Sequence, residues 1–123
     1  MSDEKLSANF KRSEFECPDC GADDISMDLV AMLQKVRTML ARPVVITSGV
    51  RCEKHNAEVG GIPYSAHLTG LAADISVWES EERLELIGAL VIAGFTRIGL
   101  YADSDYVHVE IDDDKPGGLW VEG

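Results

Sequence analysis

The chain has 123 residues, enough for one compact domain with a core of its own and too few for two ordinary ones. Apolar residues make up 46% and charged residues 27%, a balance that excludes extended disorder and, with no repeat or low-complexity tract, a solenoid or linker protein. The formal charge of −11 opposes binding to nucleic-acid phosphates or to anionic membrane surfaces, so neither is expected as a partner.

Residues 1–8 are polar and are expected to fray, as is the tail at 115–123. Residues 1–30 contain no apolar run behind a basic start, and no stretch approaches the roughly 20 apolar residues of a membrane span. The expectation is synthesis in the cytoplasm without a signal peptide. Between Phe10 and Phe15, the Ser13 to Glu16 spacing has the form of a capping box and predicts a short helical turn.

Cys17-Pro18-Asp19-Cys20 and, further on, Cys52-Glu53-Lys54-His55 are two ligand-type pairs with the same spacing. Three cysteines cannot all pair within one chain, and without an export signal a disulfide framework is the weaker reading. A Cys₃His structural zinc site at Cys17, Cys20, Cys52 and His55 is one reading; free buried thiols, or a disulfide from Cys17 or Cys20 to Cys52, are the others.

Ser26 is an N-cap for a helix reaching about Ala41, with Leu29, Met32, Leu33, Val36 and Leu40 on one face and Pro43 ending it. Val44 to Thr47 reads as a buried β-branched strand broken by Ser48-Gly49, which puts Arg51 at a strand end. A short helix over 52–59 and the loop Gly60-Gly61-Ile62-Pro63 then deliver Ser65 and His67.

Ala72 to Val77 is a second strand, with Ala72, Asp74 and Ser76 on one face and Ala73, Ile75 and Val77 on the other. Glu79 to Ala93 is a helix with acids in its first turn, Leu84, Ile87, Leu90 and Val91 toward the core, and Gly94 as its stop. Strands at 96–101 and 106–112 flank a connection at 102–105, which predicts an antiparallel hairpin. Alternation sets Tyr106, His108 and Glu110 on one face and Val107, Val109 and Ile111 in the core. The acidic run Asp112-Asp113-Asp114 reads as a solvated turn rather than a calcium loop. Trp78 and Trp120 read as packing or interface residues.

His67, Asp74 and His108 form a catalytic type of zinc set, two imidazoles and a carboxylate that leave a fourth position open. The plain alternative is two histidines satisfied in the core or at the surface and an aspartate capping a turn. Asp105, three residues before His108, is a candidate general base. Its parity is wrong for the His108 face, so that role requires a bend where the hairpin enters the strand.

Three segments carry a family resemblance: Ser48-Gly49-Val50-Arg51, the run from Gly60 through Ser65-Ala66-His67-Leu68-Thr69-Gly70 to Asp74-Ile75, and Asp105-Tyr106-Val107-His108-Val109-Glu110. They resemble the zinc D-alanyl-D-alanine carboxypeptidases and the phage L-alanyl-D-glutamate endolysins. Phe10 to Phe15 is similar to the start of the short, single-domain members. The resemblance implies an α+β domain with an antiparallel sheet flanked by helices, the fold shared with hedgehog signalling domains. It implies His67, Asp74 and His108 as ligands of a catalytic Zn²⁺ and Asp105 as the catalytic acid. Arg51 is implied as the arginine near the scissile amide and Ser65 as a substrate-side polar residue. The implied activity is hydrolysis of a peptidoglycan peptide bond after release to the wall, as an endolysin-type endopeptidase or a D-Ala-D-Ala carboxypeptidase. Hedgehog domains keep a similar zinc site while acting as binding proteins, so a non-catalytic zinc-stabilised domain is the alternative from another class.

Overall fold

The computed structural model describes residues 3–122. Five strands form one sheet in the order β1-β2-β4-β3-β5, with β1 at Ile46–Ser48, β2 at Ala72–Ser76, β3 at Arg97–Tyr101, β4 at Tyr106–Glu110 and β5 at Gly118–Glu122. The helices are α1 at Met27–Leu40, α2 at Glu53–Glu58 and α3 at Ser80–Ala93, with 3₁₀ turns at Arg12–Phe15 and Ala66–Thr69. The fold is α+β with a mostly antiparallel sheet, as expected; only β3 and β5 run parallel.

Local chemistry sets the helix ends. The Ser26 hydroxyl accepts the Leu29 amide at 3.3 Å to start α1, and Ala41 stops it in the left-handed conformation at φ 54°, two residues before Pro43. Gly94 ends α3 at φ 106°, its amide returning to the Leu90 and Val91 carbonyls. Leu29, Leu33 and Val36 of α1 and Leu86 and Leu90 of α3 pack with Ile75, Val107 and Val109 of the central strands. Each fully buried aliphatic side chain there contributes about 1.5–3 kcal/mol through removal from water.

Two sequence expectations change on the helices. The buried face of α3 is Leu86, Ala89 and Leu90, while Leu84 and Val91 are exposed. The stretch Leu84 to Ala93 is apolar almost all round, so periodicity gives no contrast and tertiary contact chooses the face. The first 3₁₀ turn starts two residues earlier than the capping-box spacing suggested, with Lys11 as N-cap and its amide donating to Glu14 Oε2 at 2.7 Å.

Described residues near both ends pair with the rest of the chain. Lys5 bridges Lys11, and the Leu6 amide donates to Phe10 O at 2.8 Å; Met1 and Ser2 lie outside the described residues. At the other end, residues 118–122 form β5 and pair with β3 in the register Gly99↔Trp120. Gly99 makes this possible, because a Cβ there would sit 2.7 Å from the Trp120 indole. The sequence carried no sign of this strand: its partner is nonlocal, and Gly117-Gly118 before it reads as loop.

The sheet face away from α1 and α3 carries the polar groups. In β2 and β4 the pairs Ala72↔Glu110, Asp74↔His108 and Ser76↔Tyr106 lie opposite one another, so strand alternation brings Asp74, His108, Glu110 and Tyr106 to one face, as expected.

Candidate metal centre and cleft

His67 reaches this face from the 3₁₀ turn at Ala66–Thr69. Ser65 caps that turn, its hydroxyl accepting the His67 amide at 3.2 Å, and Gly70 closes it at φ 73°. A Cβ on Gly70 would lie 2.3 Å from the Asp24 carbonyl oxygen, so the close approach that places the turn requires glycine. His67, Asp74 and His108 are all buried, and their ligand atoms lie within 4.8 Å of one another.

The hydrogen bonds decide which ring nitrogens face inward. Gly49 O can only accept, so the His67 Nδ1–H donates to it at 2.7 Å, and Nε2 is left facing Asp74 Oδ1 at 3.2 Å. Glu110 Oε1 takes the His108 Nε2–H at 2.9 Å, leaving Nδ1 toward the same Asp74 Oδ1 at 2.9 Å. With neutral rings, two nitrogen lone pairs and a carboxylate oxygen therefore converge without a hydrogen among them. A cation is the complement that arrangement calls for, and the residues fit a metal ion.

Protons partly take that place otherwise. Burial works against a charged His108, but hydrogen bonds to Asp74 and Glu110 raise its pKa. Burial likewise opposes ionisation of Asp74, yet its bonds to His108 and His67 hold the carboxyl well below the usual carboxylate range. For Glu110, burial is outweighed by His108 and Arg97, which bring it down to about 2.

These groups line a cleft of ≈ 420 Å³ together with Arg51, Tyr101, Tyr106 and Trp120. Arg51 is held at three points: Nε to Ser48 Oγ at 3.0 Å, Nη1 to Asn56 Oδ1 at 3.2 Å and Nη2 to Asp74 Oδ2 at 3.1 Å. Asn56 is in turn fixed by donating to Ile62 O at 2.8 Å. The Trp120 ring lies 5.8 Å from the His108 ring and 4.8 Å from the Arg97 guanidinium carbon, between centroids in the first case and atom to centroid in the second.

A family model described as Peptidase M15 matches residues 8–110, which is most of the chain and includes every strand except β5. The chain belongs to the M15 peptidases. No curated protein sequence matches it closely enough to count as a relative. As a peptidase of this family it acts on a peptide, and its buried His67, Asp74 and His108 are the group in the cleft able to hold the metal.

Not every residue singled out from the sequence meets at this M15 site. Arg51 and Ser65 line the cleft. Asp105 is exposed and lies outside the lining, its carbonyl accepting the Val77 amide at 2.7 Å as the hairpin enters β4. The chain bends at Asp105, and the residue is exposed there. Cys17, Cys20 and Cys52 do come together, all as free thiols; neither the His55 ring nor the Asp19 carboxylate is among the donors gathered there, although Asp19 Oδ2 accepts from Cys52 Sγ at 3.4 Å.

Three residues that line or brace the cleft were not singled out as site residues from the sequence. Glu110 had a legible signal, since it shares strand parity with His108 two residues away. Asn56 and Trp120 had none, because one acts through a loop closing on itself and the other through its parallel pairing with Gly99 of a distant strand. Asp112 to Asp114 form a turn in which the Asp114 amide donates to Asp112 Oδ1. Trp78 is 76% exposed, so it does not pack into the core as one of the sequence alternatives held.

Proposed function

We propose that this M15 peptidase is a zinc enzyme that hydrolyses a peptide bond of bacterial peptidoglycan, in the manner of phage or prophage endolysin-type endopeptidases. It would be made in the cytoplasm and meet the wall after release. The observation that carries the reading is the convergence of one nitrogen from each of two imidazoles and Asp74 Oδ1 in an open cleft. Two nitrogens and one carboxylate oxygen suit zinc, with a position left for chemistry. Zinc bound there supplies a water of lowered pKa and polarises the scissile carbonyl. The peptidoglycan substrate is supported by the likeness of the Arg51, His67 to Asp74 and Asp105 to Glu110 segments to the wall peptidases.

The protein's own groups have distinct parts. Gly49 O and Glu110 orient the two imidazoles, and Glu110 is a poor base because both its oxygens are engaged and its acidity is increased. Arg51, held on Asn56 and Ser48, presents a cation to a substrate carboxylate or to the tetrahedral oxygen. Ser65 Oγ accepts the His67 amide, which leaves its hydroxyl proton for a substrate carbonyl. Asp105 is the proposed base, taking a proton from the attacking water and returning it to the leaving amine once the hairpin end turns into the cleft.

The exposed position of Asp105 favours one second reading, a metal-stabilised binding domain without catalysis. Mass spectrometry of soluble products separates the two, using zinc-loaded wild type and Asp105→Ala with intact peptidoglycan and a defined stem peptide. Cross-link or stem fragments from wild type alone support the endopeptidase, and terminal D-alanine alone makes it a carboxypeptidase. No product from folded, zinc-loaded wild type across several wall chemistries leaves the binding domain.

A further inference from the structure

Outside the cleft, one side-chain cluster has ligand chemistry. The sulfurs of Cys17, Cys20 and Cys52 lie within 4.8 Å of one another, although two come from the N-terminal segment and the third from the residue after Arg51. None is oxidised. The loop closes at the first of these cysteines: the Gly21 amide donates to Cys17 O at 2.8 Å and the Cys17 amide to Ala22 O at 2.7 Å, with Gly21 at φ 77°. Cys52 caps α2, its sulfur accepting the His55 amide at 3.4 Å. Three thiolates within such a span repel one another unless a cation lies between them.

We propose that Cys17, Cys20 and Cys52 bind a second metal ion, a soft divalent cation of the zinc class, with the Asp19 carboxylate as fourth ligand. Asp19 Oδ2 already accepts from Cys52 Sγ at 3.4 Å, and its other oxygen lies 3.4 Å from Lys54 Nζ. Such a closed four-ligand site is structural. Its effect falls on the cleft through position. The Val50 amide is bonded to Phe15 O at 2.8 Å and the Arg51 amide to His67 O at 3.0 Å. Metal at Cys52 would fix the remaining side of the turn that presents Arg51, tying the 17–20 loop, that turn and the start of α2 into one unit.

Cobalt titration of the reduced, metal-free full chain tests this, because thiolate ligation gives a charge-transfer absorption that nitrogen and oxygen ligands do not. The expected result is two equivalents bound, one with that absorption. Cys20→Ser, at an exposed position whose folding is checked by circular dichroism, should lose the absorption and one equivalent. His108→Ala should lose the other equivalent and keep the absorption. Asp19→Ala should weaken the thiolate site by at least tenfold and His55→Ala should not; the reverse pattern overturns the assignment of Asp19. A single equivalent without charge-transfer absorption, or a disulfide that persists in reductant with a mass lower by one pair of hydrogens, overturns the site itself. Neither readout depends on hydrolysis, so the outcome stands apart from whether the cleft is catalytic.

Discussion

Arg51 adjoins two side-chain clusters, one through its bond to Asp74 and the other through its chain neighbour Cys52, and they are built differently. Asp74 and His108 face each other across paired strands, both buried, with the His108 ring oriented by Glu110. The three cysteines stand on a loop and a helix cap and grade from buried Cys17 to exposed Cys20. A centre that performs chemistry needs ligands fixed by neighbouring structure before the ion arrives, whereas a centre that ties loops together can be completed by the ion. The same element class, histidine or cysteine with an acid nearby, thus serves opposite ends according to the backbone beneath it.

The largest effect that would break this contrast is at His108. His108→Ala should remove metal uptake in the cleft and bring hydrolysis to the level of chelator-treated wild type, read by metal analysis beside product release; retention of both would show that the strand pair is not the metal centre. Asp105→Ala should lower kcat by about 10²–10⁴-fold with metal content unchanged. Full activity in that variant would place the base elsewhere and leave Asp105 as a hairpin residue.

Smaller changes sharpen it. Glu110→Gln should weaken metal binding by about 10–100-fold through loss of the anionic acceptor that orients His108, measured by competition with a chromophoric chelator. An unchanged affinity would mean that strand pairing alone orients the ring. Gly99→Ala forces the Trp120 ring off β3, at about 1–3 kcal/mol for an overpacked contact, and should raise KM more than it lowers kcat, with a shift in tryptophan emission. Cys20→Ser is expected to cost less in kcat than any of these and to be seen mainly as a lower thermal midpoint.

Much of the cleft could be read from the chain because its geometry is local. Alternation over Tyr106, His108 and Glu110, and over Ala72, Asp74 and Ser76, holds in the sheet because both strands are regular. The caps at Ser26 and Gly94 are single-residue chemistry and carry over for the same reason. What escaped depends on contacts far apart in sequence. The buried face of α3 is chosen by α1 and the sheet, not by its own pattern. β5 exists because β3 offers an edge and Gly99 offers room. The sequence puts Asp105 out of step with the His108 face; in the structure the chain bends there and the residue is exposed.

The pairing of Asp74 with His108 also bears on how the chain reaches its native state. The two residues are 34 positions apart, and a slip of one residue between β2 and β4 would turn one of them to the opposite face. Metal affinity at this site would therefore be available only to the correctly registered sheet, and an ion bound there would favour that alignment. Nonlocal pairing of this kind forms slowly, so recovery of tight metal binding during refolding should trail the appearance of helical signal and mark the moment when the central strands lock.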